Sequence, residues 1–296
     1  MARWTIKRSH KRKTAGRNWL GLPNDLTLMI FSRLSTVDIL ASIQQVCRQW
    51  WSICMDPLMW RTINMCDLGI RNSVDYKLEK MCRNAIDRSC GQLEDISIEY
   101  FGTDDLFKYI IDSGCHKLRR LRLVQCFHQM SDEGFCEMDE KLPLLEELDI
   151  SLCHYVSSIA LEAIGRSCPL LKSFKFNNDG SKKEAFVIVQ NMSNLRHLQL
   201  VGNNLDNSSL SATLNGCPHL ESLDLRMCSE LELERILRIR CDEQLKDFRD
   251  SDALLDGFQL WGLLDGFQLW GLSYETEYSV AVYKYQCEKR DEKEKR

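Results

Sequence analysis

A leucine pattern that recurs at a near-constant interval constrains the fold of this chain more than any other feature. Apolar residues two positions apart within each copy predict a β-strand, and intervening stretches such as SSIALEAIGRSC have helical spacing. One strand and one helix about every 25 residues predict a solenoid whose parallel strands line its inner face. The six copies are LEDISIEYF at 93, LRRLRLVQC at 118, LLEELDISLC ending at 153, LLKSFKFNN from 170, LRHLQLVGN at 195 and LESLDLRMC at 220.

The core of the pattern, L-x-x-L-x-L-x-x-C/N, resembles the cysteine-containing class of leucine-rich repeats. In that class a Cys precedes the strand and a Cys or Asn follows it. Two copies depart from this, since Leu142-Pro143 replaces the leading Cys of one and another ends in polar NND, and both departures are expected to weaken their repeats. A degenerate unit at Leu245 is a candidate C-terminal cap. The matching residues are Cys90, Cys115, Cys168 and Cys217 upstream and Cys126, Cys153, Asn203 and Cys228 downstream.

The segment from Leu22 to Trp60 carries a second, helical pattern. Pro23 stands at a helix start, and Ser35, Thr36 and Asp38 are capping candidates for a following helix. That helix carries apolar residues at helical spacing from position 39 to 51. A module of about 40 residues has difficulty burying so many large side chains alone, so part of its apolar surface is expected to await a partner.

This segment resembles the F-box family, whose pattern L-P-x-D-L-x-x-x-I-x-x-x-L is followed by V-C-R-x-W and D-P-x-x-W, in the same order as here. The resemblance implies three helices that dock on a Skp-type adaptor of a cullin-RING ubiquitin ligase. The alternative is an ordinary amphipathic helical hairpin. The residues that match the family's adaptor-binding positions are Leu22, Pro23, Leu26, Ile30, Leu34, Val46, Cys47 and Trp50.

Together the two resemblances imply an α+β chain in which a three-helix F-box precedes an α/β leucine-rich-repeat solenoid of about six to seven repeats. The C-terminal part contains a perfect duplication, LLDGFQLWG, which either pads the solenoid cap or is a slippage product without a role. The expected organisation is a basic disordered arm at 1–18, the F-box at 19–64, a helical linker or first repeat cap at 65–92, the repeats at 93–250, and the duplicated segment with a charged tail at 251–296.

Charge and cysteine content limit the partners that the chain can bind and the cellular compartments in which it can reside. The net charge of −4 with interspersed signs argues against a broad nucleic-acid-binding surface, and no apolar run is long enough for a membrane span. Fourteen cysteines without a secretory signal favour reduced thiols in the nucleus or cytoplasm. The basic arm is either solvated or a nuclear-import signal.

Cysteine and histidine lie close together at four places, such as Cys126 with His128 and Cys153 with His154, which would suit zinc or a nucleophilic dyad. Their spacing follows the repeat instead, so buried cysteine ladders are expected. Other catalytic signatures do not occur in the sequence. We therefore expect a non-enzymatic protein with no catalytic residue, metal or cofactor.

Strand residues that point away from the core line the concave face of a solenoid. Their charges alternate in sign from strand to strand, which fits either a stabilising ladder or a mixed-charge site for a protein segment. His197 and the outward residues of the first repeat, from 95 to 99, belong to the same face. The candidate substrate-binding residues are Arg120, Arg122, Glu147, Asp149, Lys175, Gln199, Asp224 and Arg226.

These features resemble the plant F-box/leucine-rich-repeat proteins. The resemblance implies a substrate-recruiting subunit of a Skp-cullin-F-box (SCF) ubiquitin ligase, with a Skp-type adaptor, through it a cullin, and an unidentified protein substrate as partners. The alternatives are a scaffold that does not deliver substrates for ubiquitination and, third, an enzyme that uses a Cys-His pair.

Overall fold

The computed structural model describes residues 21–66, 75–126, 130–138, 141–178, 182–251 and 253. The basic arm and nearly all of the duplicated segment and tail lie outside these residues. The helices are α1 (Asn24–Phe31), α2 (Thr36–Ala41), α3 (Arg48–Ile53), α4 (Asp75–Ser89), α5 (Asp104–Asp112), α6 (Asp132–Cys136), α7 (Ser158–Ser167), α8 (Lys182–Asn191), α9 (Asn207–Gly216) and α10 (Arg235–Gln244). The strands are β1 (Thr62–Met65), β2 (Asp95–Glu99), β3 (Arg120–Val124), β4 (Glu147–Ser151), β5 (Ser173–Lys175), β6 (His197–Gln199), β7 (Ser222–Asp224) and β8 (Asp247–Arg249).

The N-terminal module consists of α1 to α3 with two short 3-10 helices, Ile43–Gln45 and Pro57–Trp60. The predicted cap is confirmed at α2, where the Ser35 hydroxyl accepts a hydrogen bond from the Asp38 amide at 3.1 Å. The predicted helix from 39 to 51 is interrupted, because Ser42 and Cys47 leave helical geometry. Cys47 then caps α3 through its sulfur, which accepts from the Trp50 amide at 3.5 Å. The break turns α3 so that it can pack against α1.

Eight parallel strands, in sequence order from β1 to β8, form one sheet, which confirms the predicted solenoid. The register places like positions of successive repeats side by side, so that Ile96, Leu121 and Leu148 lie next to one another and face the core. Each repeat thereby buries its leucines against its neighbours, which one repeat could not do alone. The seven units beginning at Leu93 supply β2 to β8, including the degenerate unit at Leu245.

Turns after β3, β4, β6 and β7 place a Cys or Asn in the interior. Cys126, Cys153 and Cys228 are buried, as predicted for a ladder. The Cys228 sulfur donates to the Leu200 carbonyl at 3.2 Å, and Asn203 donates to the Phe176 carbonyl at 2.8 Å. These contacts satisfy backbone groups that would otherwise be buried without partners.

Two expectations about the ladder require correction. Cys90 is exposed, because it lies in the turn after α4 with a φ of 47°. The polar ending at Asn178 does not weaken its repeat: its amide oxygen accepts from the Cys153 amide at 2.9 Å, and its amide nitrogen donates to the Cys153 carbonyl at 3.2 Å. Leu142, where a leading Cys was missing, is fully buried.

Neighbouring helices on the outer side are joined through their N-terminal caps. Asp104 of α5 accepts hydrogen bonds from both the amide and the hydroxyl of Ser131, the cap of α6, at 2.9 and 2.6 Å. Asp132 of α6 repeats this arrangement with Ser157, the cap of α7, at 2.7 and 2.6 Å. The same carboxylate therefore favours its own helix dipole and fixes the next helix.

The N-terminal module and the repeats share one hydrophobic core, which runs from Phe31 to Leu245. β1 follows directly on the last turn of the module and pairs with β2. The Thr36 hydroxyl accepts a hydrogen bond from the Asn64 amide at 3.0 Å, which ties α2 to β1. Arg88 of α4 stacks over the buried Trp60 ring, 5.4 Å from its centroid. The module is therefore packed onto the end of the solenoid.

Candidate interaction surfaces

Large apolar side chains are exposed mainly on the N-terminal module. Leu26, Met29 and Ile30 lie one helical turn apart on α1, opposite the buried Thr27 and Phe31. Thirteen large apolar side chains are exposed in the described residues, and the module alone supplies seven of them. Such a concentration on one small unit is typical of a protein-binding surface.

The eight predicted adaptor-binding residues fall into two groups. Leu26 (48% exposed), Val46 (58% exposed), Pro23, Ile30 and Leu34 have open side chains. The half-buried residues are Leu22, Cys47 and Trp50.

The Trp50 ring packs edge-on against Phe31 with centroids 5.0 Å apart. It therefore holds α3 against α1 in addition to any contact with a partner. A hydrogen bond of 3.3 Å from Gln49 to Asn24 joins the same two helices at the surface.

Three exposed apolar residues of the module were not among the predicted contacts. Met29 extends the α1 stripe, Trp51 is 50% exposed on α3, and Leu58 lies in the second 3-10 helix. Their apolar character was visible in the sequence. For Trp51, helical spacing alone could not separate an exposed from a core position, because the break before α3 changes which side of that helix faces the core.

The concave face carries two rows of polar residues. One row runs through Asp95, Arg120, Glu147, Ser173, His197 and Ser222, and the other through Ser97, Arg122, Asp149, Lys175, Gln199 and Asp224. The structure therefore brings seven of the eight predicted substrate-binding residues onto one surface of the sheet.

Charges in the first half of this surface bind one another. Arg120 donates to Asp95 at 2.8 Å, and Arg122 lies 3.5 Å from the Asp149 carboxylate. The hydrogen bond to Asp95 raises the pKa of Arg120 further above its usual value. These pairs are partly exposed, so each contributes at most about 1 kcal/mol. The ladder interpretation therefore holds for β2 to β4.

The second half contains a shallow depression. It spans β5 to β8, has a volume of about 170 Å³ and is lined by residues that include Lys175, His197, Gln199 and Asp247. Lys175 lies 4.0 Å from Asp149, and Arg249 lies 3.6 Å from Asp247. Asp224, which also lines the depression, is paired at 2.6 Å with Arg226.

Arg226 does not lie on the open surface where strand alternation placed it. β7 ends at Asp224, and Met227 has a φ of 61°, so the chain turns inward between them. Arg226 is only 1% exposed and donates two hydrogen bonds to the Asp224 carboxylate, at 2.9 and 2.6 Å. A buried, doubly bonded guanidinium is a structural group and is not presented to a partner.

A third row of charges, which the sequence analysis did not identify, precedes the strands. Glu146 binds both Arg119 and Lys172, the latter at 2.8 Å, and Glu221 binds Arg196 at 2.9 Å and Lys246 at 2.6 Å. Each residue directly follows the first leucine of its repeat. The signal was present in the sequence, since all seven repeats carry a charge at this position.

The buried thiols are not suited to nucleophilic chemistry. A hydrogen bond with Cys153 and burial raise the pKa of Cys126 well above its ordinary value. Burial raises the pKa of Cys168 to about 12. Such thiols stay protonated near neutral pH, and the thiolate is the reactive form. His128, the predicted neighbour of Cys126, lies outside the described residues.

The part of the chain that the structure describes carries no sign of a metal site or of a membrane-spanning helix. Among the described residues, no three His, Cys, Asp or Glu side chains are grouped in a way that could hold a metal ion. None of the described helices combines the length and apolar character that a membrane span requires.

Comparison with known proteins agrees with this architecture. Residues 19–66 match the family described as F-box-like, and residues 191–212 match the family described as Leucine Rich repeat. F-box/LRR-repeat protein 23 of Arabidopsis thaliana is 47% identical over 247 residues, which cover 80% of this chain and 54% of that protein. F-box protein SKIP19 of the same plant is 46% identical over 243 residues, which cover 81% of this chain and 79% of that protein. The chain thus spans about half of the first relative.

Similar solved structures include a chain of the yeast Rad7–Elc1 complex, with a TM-score of 0.43 and 12% identity over 85% of this chain and 81% of that chain. The leucine-rich-repeat protein LegL7 of Legionella pneumophila aligns with a TM-score of 0.40 and 17% identity over 56% of this chain and 57% of that chain.

The fold defines a leucine-rich-repeat protein that carries a three-helix module with exposed apolar side chains at its N-terminal end. With relatives above 40% identity over four fifths of its length, the chain belongs to the F-box/leucine-rich-repeat family.

Proposed function

We propose that this protein recruits target proteins to an SCF-type ubiquitin ligase. The module binds a Skp-type adaptor, which connects it to a cullin, and the concave face of the repeats binds the target. The protein itself performs no chemistry. Holding a target lysine near a charged ubiquitin-conjugating enzyme raises the effective concentration of the two reactants, and that alone accelerates transfer.

The observation that carries the proposal is the concentration of exposed apolar side chains on α1 and around α3. Burying one such side chain fully in an interface contributes about 1.5 to 3 kcal/mol. These side chains are about half exposed, so burying the remainder of two of them contributes roughly 1.5 to 3 kcal/mol in total. That corresponds to about ten- to a hundredfold in adaptor affinity, since about 1.4 kcal/mol is a factor of ten.

Ile30→Glu combined with Val46→Glu tests this assignment. Both side chains are exposed, so the substitutions place charge on the surface without disturbing the Phe31–Trp50 contact. We expect adaptor affinity to fall at least about tenfold, measured by titration calorimetry with a purified Skp-type adaptor.

The matched control is Ile236→Glu with Ile239→Glu on α10. Ile236 is 78% exposed and lies far from the module in the repeat order. This control carries the same charge change and should bind the adaptor as the wild type does. A folded wild-type protein that does not bind any Skp-type adaptor would refute the ligase assignment and leave a repeat scaffold.

Delivery of targets needs a second measurement, because a scaffold would also bind the adaptor. In cells, proteins captured by the wild type should carry ubiquitin, and proteins captured by the Ile30→Glu, Val46→Glu variant should not. Equal ubiquitin on both sets of captured proteins would contradict target delivery.

A further inference from the structure

Side-chain polar groups are used differently in the two halves of the concave face. In β2 to β4, Arg120 and Arg122 are engaged with Asp95 and Asp149. In β5 and β6, Ser173, His197 and Gln199 form no side-chain hydrogen bond with another described residue. Polar groups that do not bind one another remain available to a ligand.

The available groups form a compact cluster, which we term the β5–β6 cluster: Ser173, Lys175, His197 and Gln199. The parallel register pairs Ser173 with His197 and Lys175 with Gln199. Neighbouring strands are about 4.8 Å apart and alternate residues about 6.6 Å apart, so the four side chains stand at the corners of a small rectangle. Each can donate a hydrogen bond toward its centre.

Lys175 is the charged member of this cluster. Its closest carboxylate is that of Asp149, 4.0 Å away. Asp149 already accepts a hydrogen bond from the Ser151 hydroxyl at 2.5 Å and lies nearer to Arg122, at 3.5 Å. The Lys175 ammonium group therefore loses little interaction energy when an anion replaces its contact with Asp149.

Charge balance also favours an anion in the second half. The outward residues of β2 to β4 include the acids Asp95, Glu99, Glu147 and Asp149 against two arginines. Around the depression, Asp224 is neutralised by the buried Arg226, and Asp247 lies beside Arg249. Lys175 is thus left as a cation whose nearest carboxylate is shared with another base.

The size of the depression indicates what kind of ligand it takes. Its volume of about 170 Å³ is well below the roughly 300 Å³ at which small-molecule pockets begin. It suits one or two side chains of a protein segment.

We propose that the β5–β6 cluster binds an anionic side chain, carboxylate or phosphate, on an extended segment of the target protein. Lys175 supplies the charge, and Ser173, His197 and Gln199 supply hydrogen bonds. The proposal rests on the assignment of target binding to the repeats and does not depend on adaptor binding by the module.

Peptide arrays test this with the full chain. Twelve-residue peptides of one neutral sequence carry Asp, Glu, phosphoserine, Ser or Lys at the central position. We expect the wild type to retain at least tenfold more of the anionic peptides than of the Ser peptide. The ratio between the Asp or Glu peptides and the phosphoserine peptide identifies which anion is preferred.

Lys175→Glu should abolish this preference. Arg120→Glu is the matched control, because it makes the same charge change on the same face, two strands away, and should leave the preference intact. The N-terminal basic residues are present in all three proteins, so their attraction for anions cancels. Equal retention of all peptides by the wild type, or an equal loss in both variants, would overturn the proposal.

The adaptor titration, run on the same three proteins, separates this result from the ligase assignment. Both variants should bind the adaptor like the wild type. Peptide selectivity without adaptor binding would leave the anion site standing and remove the ligase role. Adaptor binding without peptide selectivity would do the reverse.

Discussion

Individual cysteines act in this protein as small apolar residues. Ten of the thirteen described cysteines are buried, and those in the repeats lie at the positions that the leucine pattern indicates. Their spacing made this predictable from the sequence. Burial removes the solvation that a thiolate needs, so the folded state strongly favours the protonated thiol.

The buried thiols should make stability fall in alkaline solution. Burial raises the pKa of Cys82, Cys168 and Cys228 to about 12 from an ordinary value of 9.0. Between these values the unfolded chain loses the protons first, and each thiol then lowers the free energy of unfolding by about 1.4 kcal/mol per pH unit. Below pH 9 these thiols are protonated in both the folded and the unfolded state, so they make no contribution to the pH dependence of the free energy of unfolding.

Urea unfolding of the wild type and Cys168→Ala at pH 8.0, 9.5 and 10.5 measures this slope. We expect the slope above pH 9 to be shallower in Cys168→Ala by about 1.4 kcal/mol per pH unit. Cys90→Ala, at an exposed position, should retain the wild-type slope. Identical slopes in all three proteins would show that Cys168 titrates normally.

Arg226 shows where residue-level prediction from the sequence ends. Strand alternation correctly placed Lys175 and Gln199 on the concave face, because both lie within strands. It failed two residues beyond the end of β7, where a turn with a positive φ at Met227 redirects the side chain. A non-glycine residue with such a φ leaves no clear mark in the sequence.

At the scale of the elements, the helices pack closely enough to require glycine at defined points. A Cβ atom on Gly165 of α7 would lie 2.8 Å from the Asn191 carbonyl oxygen at the end of α8. Backbone cannot move aside as a flexible side chain can. The spacing between these two helices is therefore set by the absence of a side chain at residue 165.

Gly165→Ala should destabilise the protein by about 1 to 3 kcal/mol, the usual cost of overpacking, although alanine has the higher helix propensity. Gly114→Ala is the comparison, since a Cβ there meets nothing within 4 Å and only the φ of 70° opposes it. The left-handed φ alone should cost Gly114→Ala about 1 to 2 kcal/mol, without a change in the spacing of the helices. Chemical denaturation measures both, and a neutral Gly165→Ala would mean that α7 and α8 separate freely.

Elements that repeat were predictable, whereas the break between α2 and α3 was not. The apolar spacing from Ile39 to Trp51 is helical throughout, and no proline marks the interruption. Local side-chain bonds, from Cys47 to the Trp50 amide and from Gln44 to the Leu40 carbonyl, accompany the new geometry. Packing of Trp50 on Phe31 then favours the broken form over a continuous helix.

At the scale of the whole molecule, the module and the solenoid form one packed unit. Trp60 is 1% exposed, donates to the Cys54 carbonyl at 3.0 Å and lies under Arg88. The expected boundary between residues 64 and 65 falls inside β1, a strand of the shared sheet. Two separate family resemblances gave no sign of this, because neither describes the contact between the two parts.

Trp60→Ala should therefore loosen both parts together. Removing a buried aromatic side chain costs about 3 to 5 kcal/mol. Native-state hydrogen exchange should show faster exchange in α3, β1 and α4 while β6 and β7 keep their protection. Leu58→Ala, at an exposed position in the same 3-10 helix, should change little. Loss of protection confined to α3 would indicate that the module unfolds on its own.

Because the sheet is continuous from β1 onward, the number of repeats sets the distance between the module and any point on the concave face. Each strand adds about 4.8 Å, so β5 lies about 19 Å along the sheet from β1, the strand that follows the module. A partner bound at β5 and β6 would be held at a distance fixed by the number of repeats between them. Inserting or deleting one repeat between them would move the bound partner by one strand spacing. Relatives with different repeat numbers would therefore hold their partners at different distances from the module.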